Sequence, residues 1–233
     1  MKKTLVFLLI LFFLSSSFTL ESSAYTFGKN ETGRSSFEQA LSVFHTCAFS
    51  AEYGNSGRDF LVRWETPIRI YVSGSPARQD IKTLDDFIKT LKANVPLLPG
   101  ISRVINKSKA NIVIHFCRLS EMASLVPDYT SGNWGYFHYE YKSCKIHTAV
   151  IGIATDVTNQ QERNHLLQEE LVGALGLAND HWDDSTSILY QGWTTVQSLS
   201  ALDWKMLNFL YSPVTKPGDK WDTVERALRK TNR

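Results

Sequence analysis

Apolar residues change their period several times along this chain, and each change marks an element. In "SSFEQALSVFHTCAFSAEYG" they fall three and four apart, predicting a helix with Ser35 or Ser36 as N-cap and an end near Gly54. "VRWETPIRIYVSG" alternates instead and is rich in β-branched residues, predicting a strand with Pro67 at its entrance. "TLDDFIKTLKANV" returns to the helical period, with Thr83 as cap and Asp85 and Asp86 in a first turn whose dipole favours them. "SRVIN" and "ANIVIHFC" read as strands, the second so continuously apolar that it predicts cover on both faces. "GNWGYFHYEY" and "KIHTAVIGIAT" predict a hairpin whose first strand, aromatic and punctuated by Gly132 and Gly135, suits an edge. Helical spacing then recurs in "NQQERNHLLQEELVGALGL", in "TVQSLSALDWKMLNFLY" with a cap near Ser198 or Ser200, and in "WDTVERALRK". The expected fold is α/β, of the α+β kind: a single mixed five-stranded sheet with helices packed on it.

The start of the chain follows a different logic. "MKK" is a positive n-region, "TLVFLLILFFL" is shorter than the ~20 apolar residues of a span, and Ser22 and Ala24 sit at the −3 and −1 positions of a cleavage site. Residues 1–24 are therefore expected to be a secretory signal peptide, leaving 25–233 as one domain. No second long apolar run follows, so no membrane span is expected in the mature chain. The expected address is secreted, periplasmic or in the cell envelope.

Composition removes some functions. Net charge is +2 over 233 residues, and Lys2 and Lys3 leave with the leader, so the mature chain is near neutral. Basic residues are scattered without a run, which argues against a nucleic-acid partner. Three cysteines in an oxidising compartment permit one disulfide. Cys117–Cys144 is the expected pair, since both end predicted neighbouring strands, while Cys47 packs in a helical pattern.

The candidate chemistry lies in "QEELVGALGLAND", residues 168–180. At ~100° per residue, Leu167, Leu171, Ala174 and Leu175 share one side and should face the sheet. His165, Glu169, Gly173 and Gly176 stack along the opposite line, and Glu170 flanks it, so this line is expected to border water or a cleft. Gly173 costs a helix interior about 1 kcal/mol relative to alanine, which implies that something approaches the backbone there. Gly176 suits a helix C-cap.

Read as Glu-Glu-x-x-Gly-x-x-Gly-x-x-Asn, residues 169–179 resemble the extended zinc motif of metzincin peptidases, His-Glu-x-x-His-x-x-Gly-x-x-His. "TSILYQG" and "LSALDWKMLNFLYSP" resemble the methionine turn and final helix of that superfamily, with Leu189 in place of the methionine. A closer resemblance is to a family of bacterial secreted proteins catalogued as domain of unknown function 2927. It is carried by "EEL…LGL.ND", a Ser-Ile turn, a "D…L..LY" helix and "RWETPIRIYV", from about Phe44 to Gly218. The resemblance implies a zincin-like fold with the central helix as its active-site-type helix, and no established activity.

Residue by residue, the first ligand position holds Glu169, the second holds Gly173 with no side chain, and the third holds Asn179, a poor donor. Glu170 alone keeps its position, that of the general base. Zinc needs about three protein ligands and an open site, so the expectation is either no cofactor or zinc in a replacement site drawn from helix geometry, with His165 and Glu169 one turn apart and Asp180 or His181 coming in from the loop. Asp180, Asp183 and Asp184 also read as an acidic loop capping the next segment, and Glu169 and Glu170 as a solvated face. Trp134, Tyr136 and Tyr139 form either a platform beside the cleft or a patch packed on the N-terminal helix.

Three functions stay open on these residues. The first is a degenerate metallopeptidase-like domain, without the histidine ligands, binding a peptide or protein segment in a cleft around Gly173, Asn179, Trp134 and Tyr136. The second is a working hydrolase with Glu170 as general base, metal-dependent through the rebuilt site or using Glu169 and Glu170 as an acid/base pair. The third is a structural envelope component, in which the two carboxylates would face an arginine such as Arg63 or Arg163.

Overall fold

Pro67 divides the first extended run in two. It has no N–H to give a ladder, and the pieces on either side, β1 (Arg63–Trp64) and β2 (Ile68–Gly74), pair with different neighbours. The sheet therefore has six strands among the described residues, not the expected five. The computed structural model describes residues 36–49 and 58–232. The predicted leader 1–24, the cap at Ser35 and the helix end at Gly54 lie outside them.

The other strands are β3 (Ile101–Arg103), β4 (Ile112–Cys117), β5 (Gly135–Lys142) and β6 (Lys145–Ala154). β3, β2, β4 and β6 lie side by side and parallel. β1 also runs parallel to β6, at Arg63↔Lys145. β5 returns antiparallel along the other edge of β6, from Gly135↔Ile153 to Lys142↔Lys145, forming the predicted hairpin. β4 alternates buried and half-buried residues, so it is covered more fully on one face than its apolar run predicts.

The helices are α1 (Ser36–Phe49), α2 (Arg78–Asn94), the short α3 (Met122–Leu125), α4 (Gln160–Leu175), α5 (Ala201–Leu210) and α6 (Trp221–Thr231). α2 begins five residues before its predicted cap. Asp80 accepts the Ala77 N–H at 2.7 Å and pairs with Arg163 at 3.1 Å, which holds the extra turn. Thr83, freed from capping, donates to Asn164 on α4. α5 is capped by Ser200, whose hydroxyl accepts the Asp203 N–H. α1 packs against α5 through edge contacts of Phe37 and Phe44 with Phe209.

α4 is the centre. Asn159 caps it and Glu162 returns the capping-box bond; Gly176, at φ 124°, ends it. Two buried aromatics satisfy its last carbonyls: the Trp64 indole donates to Ala174 at 2.9 Å and the Tyr211 hydroxyl to Leu175 at 2.8 Å. From His165 to Leu175 every residue is buried except Glu169. β5 folds over this side, so the line of His165, Glu169 and Gly173 borders a cleft and not open water.

The predicted Cys117–Cys144 bridge is not present; both thiols are free. Cys117 pairs with Ala154 at one end of β6, whereas Cys144 sits in the turn before Lys145 at the other. Nine residues at ~3.3 Å each separate those ends, far beyond the ~7 Å a disulfide can span.

Candidate functional site

Helix and edge strand meet closely because each has a glycine where the other has bulk. A Cβ on Gly173 would stand 2.8 Å from both Cδ1 and Cζ of Phe137. A Cβ on Gly135 would stand 3.0 Å from Cγ of Glu170 and from Leu166, with the Glu170 carboxylate nearer still. Alternation then puts Phe137 and Tyr139 on the helix side of β5, their rings stacked at 5.9 Å. The Tyr139 hydroxyl is hydrogen-bonded to Arg58, and burial pushes its pKa up. Tyr136 and His138 point the other way, toward Asp128: the tyrosine hydroxyl donates to its carbonyl and the imidazole lies 3.2 Å from its carboxylate.

Between β5 and α4 lies a cleft of about 660 Å³, closed on its third side by residues 177–194. His165, Glu169, Glu170, Gly173, Asp180, Trp134 and Tyr136 all line it. Glu170 is 9 % exposed and His165 is 3 % exposed. Asn179 is turned away, a correction to its predicted place: its side chain donates to the Thr46 carbonyl at 3.0 Å and its N–H to that of Cys47. Arg63 and Arg163 are also directed elsewhere, to Glu65 and Asp80.

His165 is engaged at both nitrogens, with Nδ1 3.0 Å from the Val196 carbonyl and Nε2 3.4 Å from Glu169. Burial lowers its pKa, which favours neutral imidazole. Among the described residues no three His, Cys, Asp or Glu side chains are grouped to hold a metal ion, so His165, Glu169 and Asp180 do not form the rebuilt site. The second ligand position has only the Gly173 backbone, with a phenylalanine ring over it. The residues present do not fit a catalytic zinc.

Below the cleft, the Ser-Ile turn is tied to α5. The Ser187 hydroxyl and Ile188 N–H both donate to the carboxylate of Asp203, at 2.5 and 2.9 Å. His181 Nδ1 accepts the Asp183 N–H, so Nε2 carries the proton toward Ser187. The three residue types of a nucleophilic triad are present with the wiring reversed: imidazole donates, and serine gives its proton to the carboxylate. All three are buried, and they brace the turn that carries Leu189.

Sequence reasoning missed the aromatic residues of that loop. Trp193 stands edge-on to Trp134 at 5.3 Å and is 58 % exposed; Trp182 stands edge-on to Tyr190 and is 68 % exposed. The signal was available, since tryptophan in a polar loop is costly to leave in water. Arg58 was missed as well, because only the fold brings it to Tyr139.

Over residues 38–230 the chain matches the family described as "Protein of unknown function (DUF2927)". No curated protein matches it. Among solved structures it is similar to that of Myroilysin, with 14 % identity and a TM-score of 0.43, covering 65 % of this chain and 83 % of that one.

Proposed function

We propose that this chain, which belongs to the DUF2927 family, is a degenerate metallopeptidase-like domain that binds an extended peptide or protein segment along the cleft between β5 and α4. The observation that carries this reading is the Phe137 ring seated on Gly173, where a metal-binding helix would project an imidazole. A glycine that merely lost its function would leave a hole or refill with any small residue; this one is held by its neighbour's shape. The neighbour is an edge strand. β5 pairs only with β6 among the described strands, so its outer edge can receive a further strand. Residues 1–24 would deliver the domain outside the cytoplasm; N-terminal sequencing of the protein recovered from its native host tests that part, with a start at Tyr25 expected and a start at Met1 contradicting it.

Elemental analysis and peptide titration of the purified chain test the reading together. Metal-free protein that binds extended peptides without cutting them agrees with it. Stoichiometric zinc, lost together with peptide hydrolysis in Glu169→Ala, contradicts it.

A further inference from the structure

We infer that Arg58 receives a carboxylate of the segment bound in this cleft, at the point where the open edge of β5 ends. This rests on the peptide-cleft reading and adds to it one anchoring residue and the chemical group it takes.

The first observation is a sheltered positive charge with only neutral partners. Arg58 lines the cleft and is half-buried. Its Nη1 donates to the Tyr139 hydroxyl and its Nη2 to the Ala48 carbonyl, and the guanidinium carbon lies 5.5 Å from the centre of the Tyr139 ring. Nε is buried with no acceptor. Arg63 and Arg163 each have a carboxylate, Glu65 and Asp80; Arg58 has none among the described residues. A charge withdrawn from water calls for an opposite charge beside it. Two of the five guanidinium N–H groups are used, so Nη1 and Nη2 each keep a second hydrogen, and the planar fork matches a carboxylate.

The second observation is the register of the strand edge, independent of charge. Tyr139 stands opposite Ala149, which gives its N–H to Asn111 on the β4 side. In an antiparallel pair a residue turns both backbone groups toward its partner or both away. Tyr139 therefore turns its N–H and C=O to the open side of β5, as do Phe137 and Gly135 by alternation. The ladder becomes irregular between Glu140 and Tyr141, so Tyr139 is the last residue to which a regular guest strand can pair. Arg58 stands beside that residue. Glu170 lies at the other end, against Gly135, about 13 Å back along the strand at ~3.3 Å per residue. A carboxylate matches the single charge of Arg58. A doubly charged phosphate would leave one negative charge over, in a cleft whose lining already includes Asp128, Glu169, Glu170 and Asp180.

The test is a titration of the purified chain, followed by the fluorescence of Trp134 and Trp193 in the cleft, with three heptapeptide libraries. One is uncharged and capped at both ends, one is the same with its C-terminus uncapped, and one is capped with a single position fixed as Glu. At least one carboxylate library should bind about tenfold tighter than the uncharged one, and which of them does so identifies terminus or side chain as the source. Added salt should erode that advantage in the unaltered chain. In Arg58→Gln the advantage should disappear; in Arg58→Lys, which keeps the charge and loses the fork, part of it should remain. Circular dichroism checks that both variants fold, and the salt series decides if the glutamine variant does not. Equal affinity for the three libraries, or an advantage that survives salt or persists in folded Arg58→Gln, would overturn the role of Arg58 and leave the peptide cleft standing. Binding of no library would overturn both.

Discussion

The ring of Phe137 occupies the space into which a side chain at Gly173 would grow: an added Cβ would lie 2.8 Å from two ring carbons. Strand and helix are thus matched at this point by shape. Gly173→Ala brings a gain of about 1 kcal/mol in helix propensity against an overpacking cost of ~1–3 kcal/mol, and net destabilisation is expected. In a Phe137→Ala background the clash is gone and the same change should stabilise by about 1 kcal/mol. A double-mutant cycle by denaturant unfolding reads this change of sign; additive effects would mean that the ring moves aside at no cost.

Gly173→His places an imidazole at position 173, one turn after Glu169. It should neither bind zinc stoichiometrically nor hydrolyse peptides, since Asn179 faces α1 and the new ring would meet Phe137. Zinc content of the variant, with circular dichroism to confirm folding, checks this.

Asp203 is fully buried and accepts bonds from Ser187, Ile188 and Ser200. Removing its carboxylate strands three donors, those of Ser187 and Ile188 buried and that of Ser200 half-buried, each buried one at a cost of ~1–3 kcal/mol. Asp203→Ala should therefore cost at least about 3 kcal/mol, whereas Ser187→Ala removes a single relay and should cost roughly half of that. Urea unfolding with unchanged slope measures both.

His165 and His181 are both held below the ordinary histidine pKa, in each case by burial first; for His181 the carboxylates of Asp203, Asp183 and Asp184 oppose the shift. A histidine whose folded pKa is depressed binds its proton more readily when unfolded. Its contribution is fully present above the unfolded value of about 6.5 and is lost as pH falls from there toward the folded pKa. Melting temperature should drop as pH falls below about 6.5, and His165→Gln should flatten part of that slope. An unchanged slope in the variant would remove His165 from the account.

Cys47 and Cys117 are buried and Cys144 is half-exposed, all as free thiols. A thiol reagent should label one cysteine in the native chain and three after unfolding. Stability should not respond to a reductant, as it would if Cys117 and Cys144 were bridged.

Much of the fold could be read from periodicity, because periodicity reports which side of an element is dry. α4 and its Gly176 stop, the β5–β6 hairpin and a cap at one of Ser198 and Ser200 all follow from local pattern. Where the pattern misled, a long-range partner had intervened. Arg163 draws Asp80 into capping α2 early, Pro67 lets β1 and β2 choose separate neighbours, and the length of β6 keeps Cys117 from Cys144.

The candidate site divides along the same line. Residue order alone determined that position 173 has no side chain and that Glu169 and Glu170 stand one turn before it on the same helix. It also signalled, through the helix cost of Gly173, that something packs close to that backbone. Tertiary structure decided what packs there, that Asn179 serves α1 instead of the cleft, and that Trp193 meets Trp134, which lies far back in the sequence. The reason is physical: propensity and capping act within a turn or two of helix, while the neighbour that fills a vacancy is chosen by the packing of segments far apart in sequence.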